Sequence, residues 1–215
     1  MAYDLEEQEQ LASLKSWWKQ YGNLITWVLI IALAAYAGWT GWKTYQRNQA
    51  AQAALLYEEL QKGVTAKDNA RVQRAAADVT SKFGKTLYAQ MGALAAAKSA
   101  FDNGDLKTAK TQLQWVIDNG ASDEYKAIAK LRLAGVLLDE KAFDEGLKVL
   151  SGDFPEQFAG AVADRKGDIL TAQSKIEDAK AAYKTALEKT GEQNPARQLI
   201  QLKLDAIGGS AKAAA

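Results

Sequence analysis

The sequence carries one pattern three times, as LKTAKTQL at 106–113, FDEGLKVL at 143–150 and IEDAKAAY at 176–183. Each copy begins with an apolar residue, has a small residue three positions later, and has a large apolar residue four positions after that. A fainter copy is predicted at Val72/Ala75/Val79. The small residues then fall at 75, 109, 146 and 179, with spacings of 34, 37 and 33 residues. The pattern therefore predicts a helical repeat.

Further small residues stand twelve positions before three of these sites, at Ala97, Ala134 and Gly167. In a helix–turn–helix repeat, two small residues at this separation let the paired helices approach closely. A period near 34 residues is typical of tetratricopeptide (TPR) repeats, so we expect an all-α, TPR-like solenoid; an irregular helical bundle is the alternative. Helices are predicted at 44–62, 68–83, 86–102, 105–119, 123–140, 143–151, 156–173, 175–190 and 195–207.

The composition excludes most familiar enzyme chemistry. The 215 residues include no Cys and no His, so disulfides, thiolate zinc sites, Cys nucleophiles and His-dependent mechanisms are ruled out. The net charge of +1 argues against a nucleic-acid binder. The sequence has no P-loop, no G-x-S-x-G motif and no glycine-rich dinucleotide turn. We therefore expect no enzyme activity, no catalytic or metal residues, no cofactor and no small-molecule substrate.

One segment is long and apolar enough to cross a membrane. No formal charge occurs in the 23 residues between Lys19 and Lys43, and about 20 residues span a hydrocarbon core. Aromatic residues, which favour the membrane interfaces, crowd both ends: Trp17, Trp18, Tyr21, Trp39, Trp42 and Tyr45. The predicted organisation is a cytoplasmic tail (1–19), a transmembrane helix (20–42), a TPR-like periplasmic domain (43–207) and a flexible tail (208–215); the sides of the membrane come from the resemblance described below.

A cleaved signal peptide is the main alternative to a permanent span. Ala35-Tyr36-Ala37 fits a small-x-small cleavage site, but the preceding segment is long and acidic, whereas a signal peptide begins with a short positive region. Charge does not decide the orientation, because two basic residues flank each end of the apolar run. The sequence therefore favours an uncut anchor and leaves its orientation open.

A partner groove is predicted on the first helix of each pair, which lines the concave face of TPR-like stacks. Counting from the small positions places the following residues there: Met91, Leu94, Lys98 and Phe101; Ile128, Leu131 and Leu138; Ala161, Asp164, Asp168 and Thr171. This groove would be apolar in two repeats and acidic in the third, and would suit a segment with an apolar stripe and one basic end. The alternative is a groove filled by the chain's own helices at 44–62 or 68–83.

The best acidic pair, Asp164 and Asp168, lies four residues apart on one predicted helix face. Two close carboxylates can bind a cation or transfer protons, but no third ligand stands nearby. We therefore expect a solvated helix face, and expect Asp164→Asn to cost little stability.

The chain resembles the YfgM-type ancillary subunits of the bacterial SecYEG translocon. The resemblance is carried by the early span ending in GWTGW at 38–42, the linker YQRNQ at 45–49, and the repeats from LRLA at 131–134 to ADRKGD at 163–168. It implies an inner-membrane protein with a cytoplasmic N-terminus and a periplasmic TPR-like domain. It also implies two partners, the SecYEG translocon and a membrane-anchored prolyl-isomerase-like chaperone.

Two functional hypotheses follow. The first is a membrane-anchored interaction scaffold or chaperone accessory that assists periplasmic protein trafficking or folding near the translocon. The alternative is a structural or assembly subunit of another cell-envelope complex that binds no client protein.

Overall fold

The computed structural model describes residues 2–208, with side chains from residue 7 onward. Its elements are α1 (Ala2–Thr65), α2 (Asn69–Phe83), α3 (Leu87–Asp102), α4 (Leu106–Asn119), α5 (Asp123–Asp139), α6 (Phe143–Leu150), a 3₁₀ turn (Glu156–Phe158), α7 (Ala159–Ala172), α8 (Ile176–Lys189) and α9 (Ala196–Ala206). The all-α prediction is confirmed. From residue 68 onward, the predicted helix ends differ from the observed ones by one residue at most, except that the first predicted turn of α7 is 3₁₀. The predicted flexible tail lies, from residue 209, outside the described residues.

Helix α1 is continuous, whereas the sequence predicts one helix at 20–42 and another at 44–62. The reason is that α1 contains no proline, and its two central glycines, Gly38 and Gly41, each cost a helix only about 1 kcal/mol. Contacts nevertheless divide the chain into two compact units, Met1–Gln49 and Ala50–Ala215. The boundaries predicted at 19/20 and 42/43 rest on hydropathy and charge and stay predictions.

The first unit is a single apolar helix whose large side chains are exposed. Leu24, Ile31 and Leu33 are each about two-thirds exposed, at 66%, 64% and 66%. Within the described residues, α1 is the one helix long and apolar enough to cross a membrane. A helix that is apolar on all sides and contributes nothing to a core is typical of a lipid-facing segment.

The second unit consists of helix pairs, and the two helices of each pair are joined by the same kind of turn. Each turn contains a residue with positive φ, namely Lys67, Gly104, Lys141 or Ser174. In each, the next N–H donates to the carbonyl five residues back: Asp68 to Gly63, Asp105 to Ala100, Ala142 to Leu137 and Lys175 to Leu170, at 2.8–2.9 Å. These turns join the end of α1 to α2, α3 to α4, α5 to α6 and α7 to α8. Gly208, at φ 74°, follows α9 in the same conformation. We number helix positions back from these turn residues.

The turns show that the faint first copy of the pattern is wrong by three residues. The residue equivalent to Ala109 is Val72, not the predicted Ala75, and the residue equivalent to Ala97 is Leu60. Three residues are almost one helical turn, so Ala75 also lies on the buried face, only 6% exposed. A search for small residues therefore selects Ala75, because the true position carries a valine.

The predicted close approach of paired helices is confirmed in the three later pairs. The small residues Ala97, Ala109, Ala134, Gly146, Gly167 and Ala179 are all buried. A Cβ atom added to Gly146 would lie 3.6 Å from the Ala134 carbonyl oxygen, and one added to Gly167 would lie 2.5 Å from Cε1 of Tyr183. Because alanine or glycine occupies each of these places, the helix axes can pack at short range.

Candidate partner groove

The first helices of three successive pairs, α3, α5 and α7, border a cleft of about 340 Å³, here called the central cleft. Its lining residues are Ala97, Lys98, Phe101, Asp102, Leu113, Arg132, Gly135, Val136, Asp139 and Arg165. Lys98 and Asp102 form an ion pair at 2.7 Å, and Phe101 is 39% exposed. Five of the ten lining residues are charged and five are apolar, and Phe101 is the one aromatic side chain among them.

Only two of the predicted groove residues, Lys98 and Phe101, line the central cleft. Leu94 is buried in the core, and Met91 and Ile128 are half-buried. Leu131 and Leu138 are half-buried against a core cluster that contains Ala134, Leu150, Val162 and Ile169. These two positions, ten and three residues before the turn, pack on the next pair. Most of the predicted apolar residues therefore help to hold the stack together, and partner binding by the predicted set stays a prediction.

Asp164 and Asp168 do not form the solvated helix face that the sequence predicts. Lys203 of α9 reaches both: its Nζ lies 2.8 Å from Asp164 Oδ1 and 2.7 Å from Asp168 Oδ1. The three side chains are 25%, 23% and 15% exposed, in the order Lys203, Asp164, Asp168. The sequence suggested solvation because charged residues on helices usually stay in water. Lys203, the cation that contacts both carboxylates, comes from 39 residues away in the chain.

Tyr183 of α8 is also part of this network. Its hydroxyl donates to Asp168 Oδ1 at 2.9 Å, and its ring, only 3% exposed, packs under Gly167. Burial, together with the negative charge of Asp168, raises the pKa of the Tyr183 hydroxyl far above its ordinary value, so it remains a donor at any physiological pH. The network ties the last three helices together and has the geometry of a structural contact.

The network replaces an apolar contact found one repeat earlier. Asp164 is equivalent to Leu131, ten residues before the turn, and Lys203 is equivalent to Ile169, five residues before it. Leu131 packs against the cluster that contains Ile169. Helix α9 therefore takes the place of a first helix against α7 and α8, held partly by charge. Its exposed residues are mixed: Gln198, Gln201 and Asp205 are polar, whereas Leu199 and Leu202 are 55% and 65% exposed.

The sequence reasoning missed three residues of the central cleft, Arg132, Gly135 and Arg165. Arg132 and Arg165 are equivalent, nine residues before their turns, and Gly135 lies six residues before its turn. Gly135 is equivalent to the predicted residues Lys98 and Asp168, six positions before the turn. The two arginines were missed because the prediction took the position ten before the turn, which Leu131 occupies, and Leu131 packs on the next pair.

These observations define a class of protein, a stack of TPR-like helix pairs that follows an apolar helix of membrane-spanning length. The sequence family described as a tetratricopeptide repeat-like domain matches residues 15–209. The match includes nearly the whole described chain.

Relatives with assigned names identify the family within this class. The ancillary SecYEG translocon subunit of Neisseria gonorrhoeae is 31% identical over 208 residues, covering 96% of this chain and all of the relative. The proteins of the same name from Haemophilus influenzae and Escherichia coli are 30% and 27% identical, covering 95% and 93% of this chain and 99% and 95% of their own lengths. No solved structure matches the chain.

The chain belongs to the family of ancillary SecYEG translocon subunits, as the resemblance in its sequence implies. The apolar α1 and the translocon-associated relatives together indicate anchoring in the inner membrane.

Proposed function

We propose that this protein is a non-enzymatic accessory of the SecYEG translocon, anchored by α1 and acting through its TPR-like domain. The full-length match to relatives named for this complex carries the proposal. The fold supports it, because stacked helix pairs offer extended surfaces for binding other polypeptides. The exposed apolar α1 gives such a surface a fixed place at the membrane.

Co-purification tests the association. A C-terminally tagged full chain, extracted in mild detergent, is expected to retain SecY, SecE and SecG after washing. A matched control carries the same tag on a chain whose apolar stretch, 24–36, is replaced by a leucine–alanine span of equal length. If neither chain retains translocon subunits, the proposed function is wrong.

The anchor itself gives a separate prediction. Alkaline carbonate should leave the full chain in the membrane pellet, because about 20 apolar residues in one helix make insertion effectively irreversible. The mature protein should also have the mass of the uncut chain. A soluble product beginning near Gly38 would show instead that the apolar stretch is a cleaved signal peptide.

The orientation proposed is a cytoplasmic N-terminus and a periplasmic domain, and it rests on family resemblance. Protease added to spheroplasts should digest the chain beyond residue 50, while a tag at residue 1 stays protected. Digestion of the N-terminal tag and protection of the domain would reverse the orientation.

A more specific form of the proposal is that the protein assists periplasmic folding or trafficking. It would do so together with a membrane-anchored prolyl-isomerase-like chaperone. Crosslinking from the central cleft to proteins in transit, and to that chaperone, would support it. The alternative is a structural or assembly subunit that binds no client. It is favoured by the packing of Leu94, Leu131 and Leu138 against the core, which removes apolar surface that a client could use.

A further inference from the structure

The central cleft contains an excess of positive charge on one side. Among the residues whose side chains the structure describes, Arg132 pairs with no carboxylate; its Nη1 donates only to the Leu94 carbonyl oxygen, at 3.3 Å. Arg165 has a loose contact with Asp168, at 3.4 Å. Asp168 is already bound more closely by Lys203 and Tyr183, at 2.7 and 2.9 Å. Both guanidinium groups therefore have unused hydrogen-bonding capacity.

Gly135 of α5 leaves room for the guanidinium group of Arg165. A Cβ atom added there would lie 3.6 Å from the guanidinium carbon of Arg165, so the guanidinium of α7 rests directly on the bare backbone of α5. A long side chain such as leucine at this position would take up the space that the Arg165 guanidinium occupies. Gly135 also lies within a helix, where glycine is unfavourable, so its presence is not explained by the stability of α5.

The remaining charges do not cancel the two arginines. Lys98 and Asp102 neutralise each other at the α3 side. Asp139 lies seven residues beyond Arg132 on α5, about 10 Å along the helix axis. Phe101 lies toward the same end as Asp139, because the two residues stand three and two positions before their turns. The cleft thus has Arg132 toward one end, Phe101 and Asp139 toward the other, and the Arg165 guanidinium against Gly135 between them.

We propose that the central cleft binds an acidic polypeptide segment, with carboxylates on the guanidinium groups of Arg132 and Arg165 and an apolar side chain on Phe101. Guanidinium groups bind carboxylates through charge-assisted, often bidentate hydrogen bonds. Both guanidinium groups line the same cleft, so a segment with several acidic residues can contact both at once. Glutamate at every third position suits a probe, because side chains on one face of an extended polyproline II segment recur every three residues.

This inference rests on the proposed interaction role and names the chemistry of the partner segment. The probe is a fluorescein-labelled 15-residue peptide with glutamate at every third position and one phenylalanine, titrated against the full chain in phosphatidylcholine nanodiscs. Binding is expected, and should weaken as salt is raised. The same peptide with glutamine for glutamate should bind at least about tenfold more weakly, since each charge-assisted hydrogen bond contributes about a factor of ten or more.

Two variants locate the site. Arg132→Gln with Arg165→Gln should weaken peptide binding by about tenfold or more. Gly135→Leu should do the same without loss of helix content, because leucine is a better helix former than glycine. The matched control is Arg74→Gln with Lys148→Gln, which removes the same charge from exposed positions on α2 and α6 and should bind as the unaltered chain does.

Equal weakening by the control pair would show non-specific charge attraction and overturn the proposal. Equal binding of the glutamate and glutamine peptides would overturn it as well. Co-purification with SecYEG separates this failure from that of the proposed function. If the translocon is retained while the peptide does not bind, the acidic-segment inference alone is wrong.

Discussion

Gly167→Leu is expected to lower the free energy of unfolding of the repeat domain by about 3 kcal/mol, the upper part of the usual range for overpacked cores. A Cβ atom at this position would lie 2.5 Å from Cε1 and 2.6 Å from Cδ1 of Tyr183. The tyrosine ring is buried and its hydroxyl is bound to Asp168, so it has nowhere to move. Thermal unfolding of the full chain in detergent, followed by circular dichroism, should show a midpoint about 6–12 °C lower.

Gly135→Leu is the matched control, with the same substitution on the equivalent helix of the preceding pair. A Cβ atom there meets only the Arg165 guanidinium, at 3.6 Å, which is ordinary contact. Stability should be unchanged or slightly higher, because leucine has the better helix propensity. If the two variants unfold at the same temperature, the close approach of α7 and α8 is not what requires glycine at residue 167.

Lys203→Met is expected to lower the free energy of unfolding by about 2 kcal/mol, somewhat below the cost of breaking a fully buried pair. The substitution leaves Asp164 and Asp168 as neighbouring carboxylates, 23% and 15% exposed, without their shared cation. For the same reason Asp164→Asn should have a measurable cost, unlike the small one that the sequence suggests. Chemical denaturation of the full chain measures both.

Two further variants test whether the loss of stability in Lys203→Met comes from the network with Asp164 and Asp168. Lys62→Met breaks an ion pair with Glu58 whose side chains are 56% and 64% exposed, and should cost little. Asp164→Leu with Lys203→Ile rebuilds the apolar contact that Leu131 and Ile169 make one repeat earlier, and should be more stable than Lys203→Met alone. A cost for Lys203→Met no larger than that for Lys62→Met would mean that the network contributes nothing to stability.

The sequence predicts the helices and the stacking well because both leave a local pattern. Small residues at Ala109, Gly146 and Ala179 recur at the repeat period, and the turns within pairs carry glycine, serine or lysine at the position of positive φ. The residue type at these positions depends on contacts within one helix pair, so the positions can be recognised in the sequence without knowledge of the fold.

The groove was harder to predict because it depends on contacts between pairs. Neighbouring residues on a helix differ in direction by about 100°, so an error of one position changes the inferred face. Leu131, ten residues before its turn, packs on the next pair, whereas Arg132 and Arg165, nine residues before theirs, line the cleft. The contact of Lys203 with Asp164 joins residues 39 positions apart and has no signature in the periodicity.

The order of the helix contacts has a consequence for how the protein is made. Each helix of the repeat domain contacts helices at most two places away in the chain, from α2 with α3 through α8 with α9. Such short-range contacts let helical proteins fold in microseconds to milliseconds. Synthesis of one 37-residue repeat takes about 2–7 s, so each pair has time to form before the next is complete. The stack then grows from its N-terminal side, and α9 docks through Lys203 after α7 and α8 have formed.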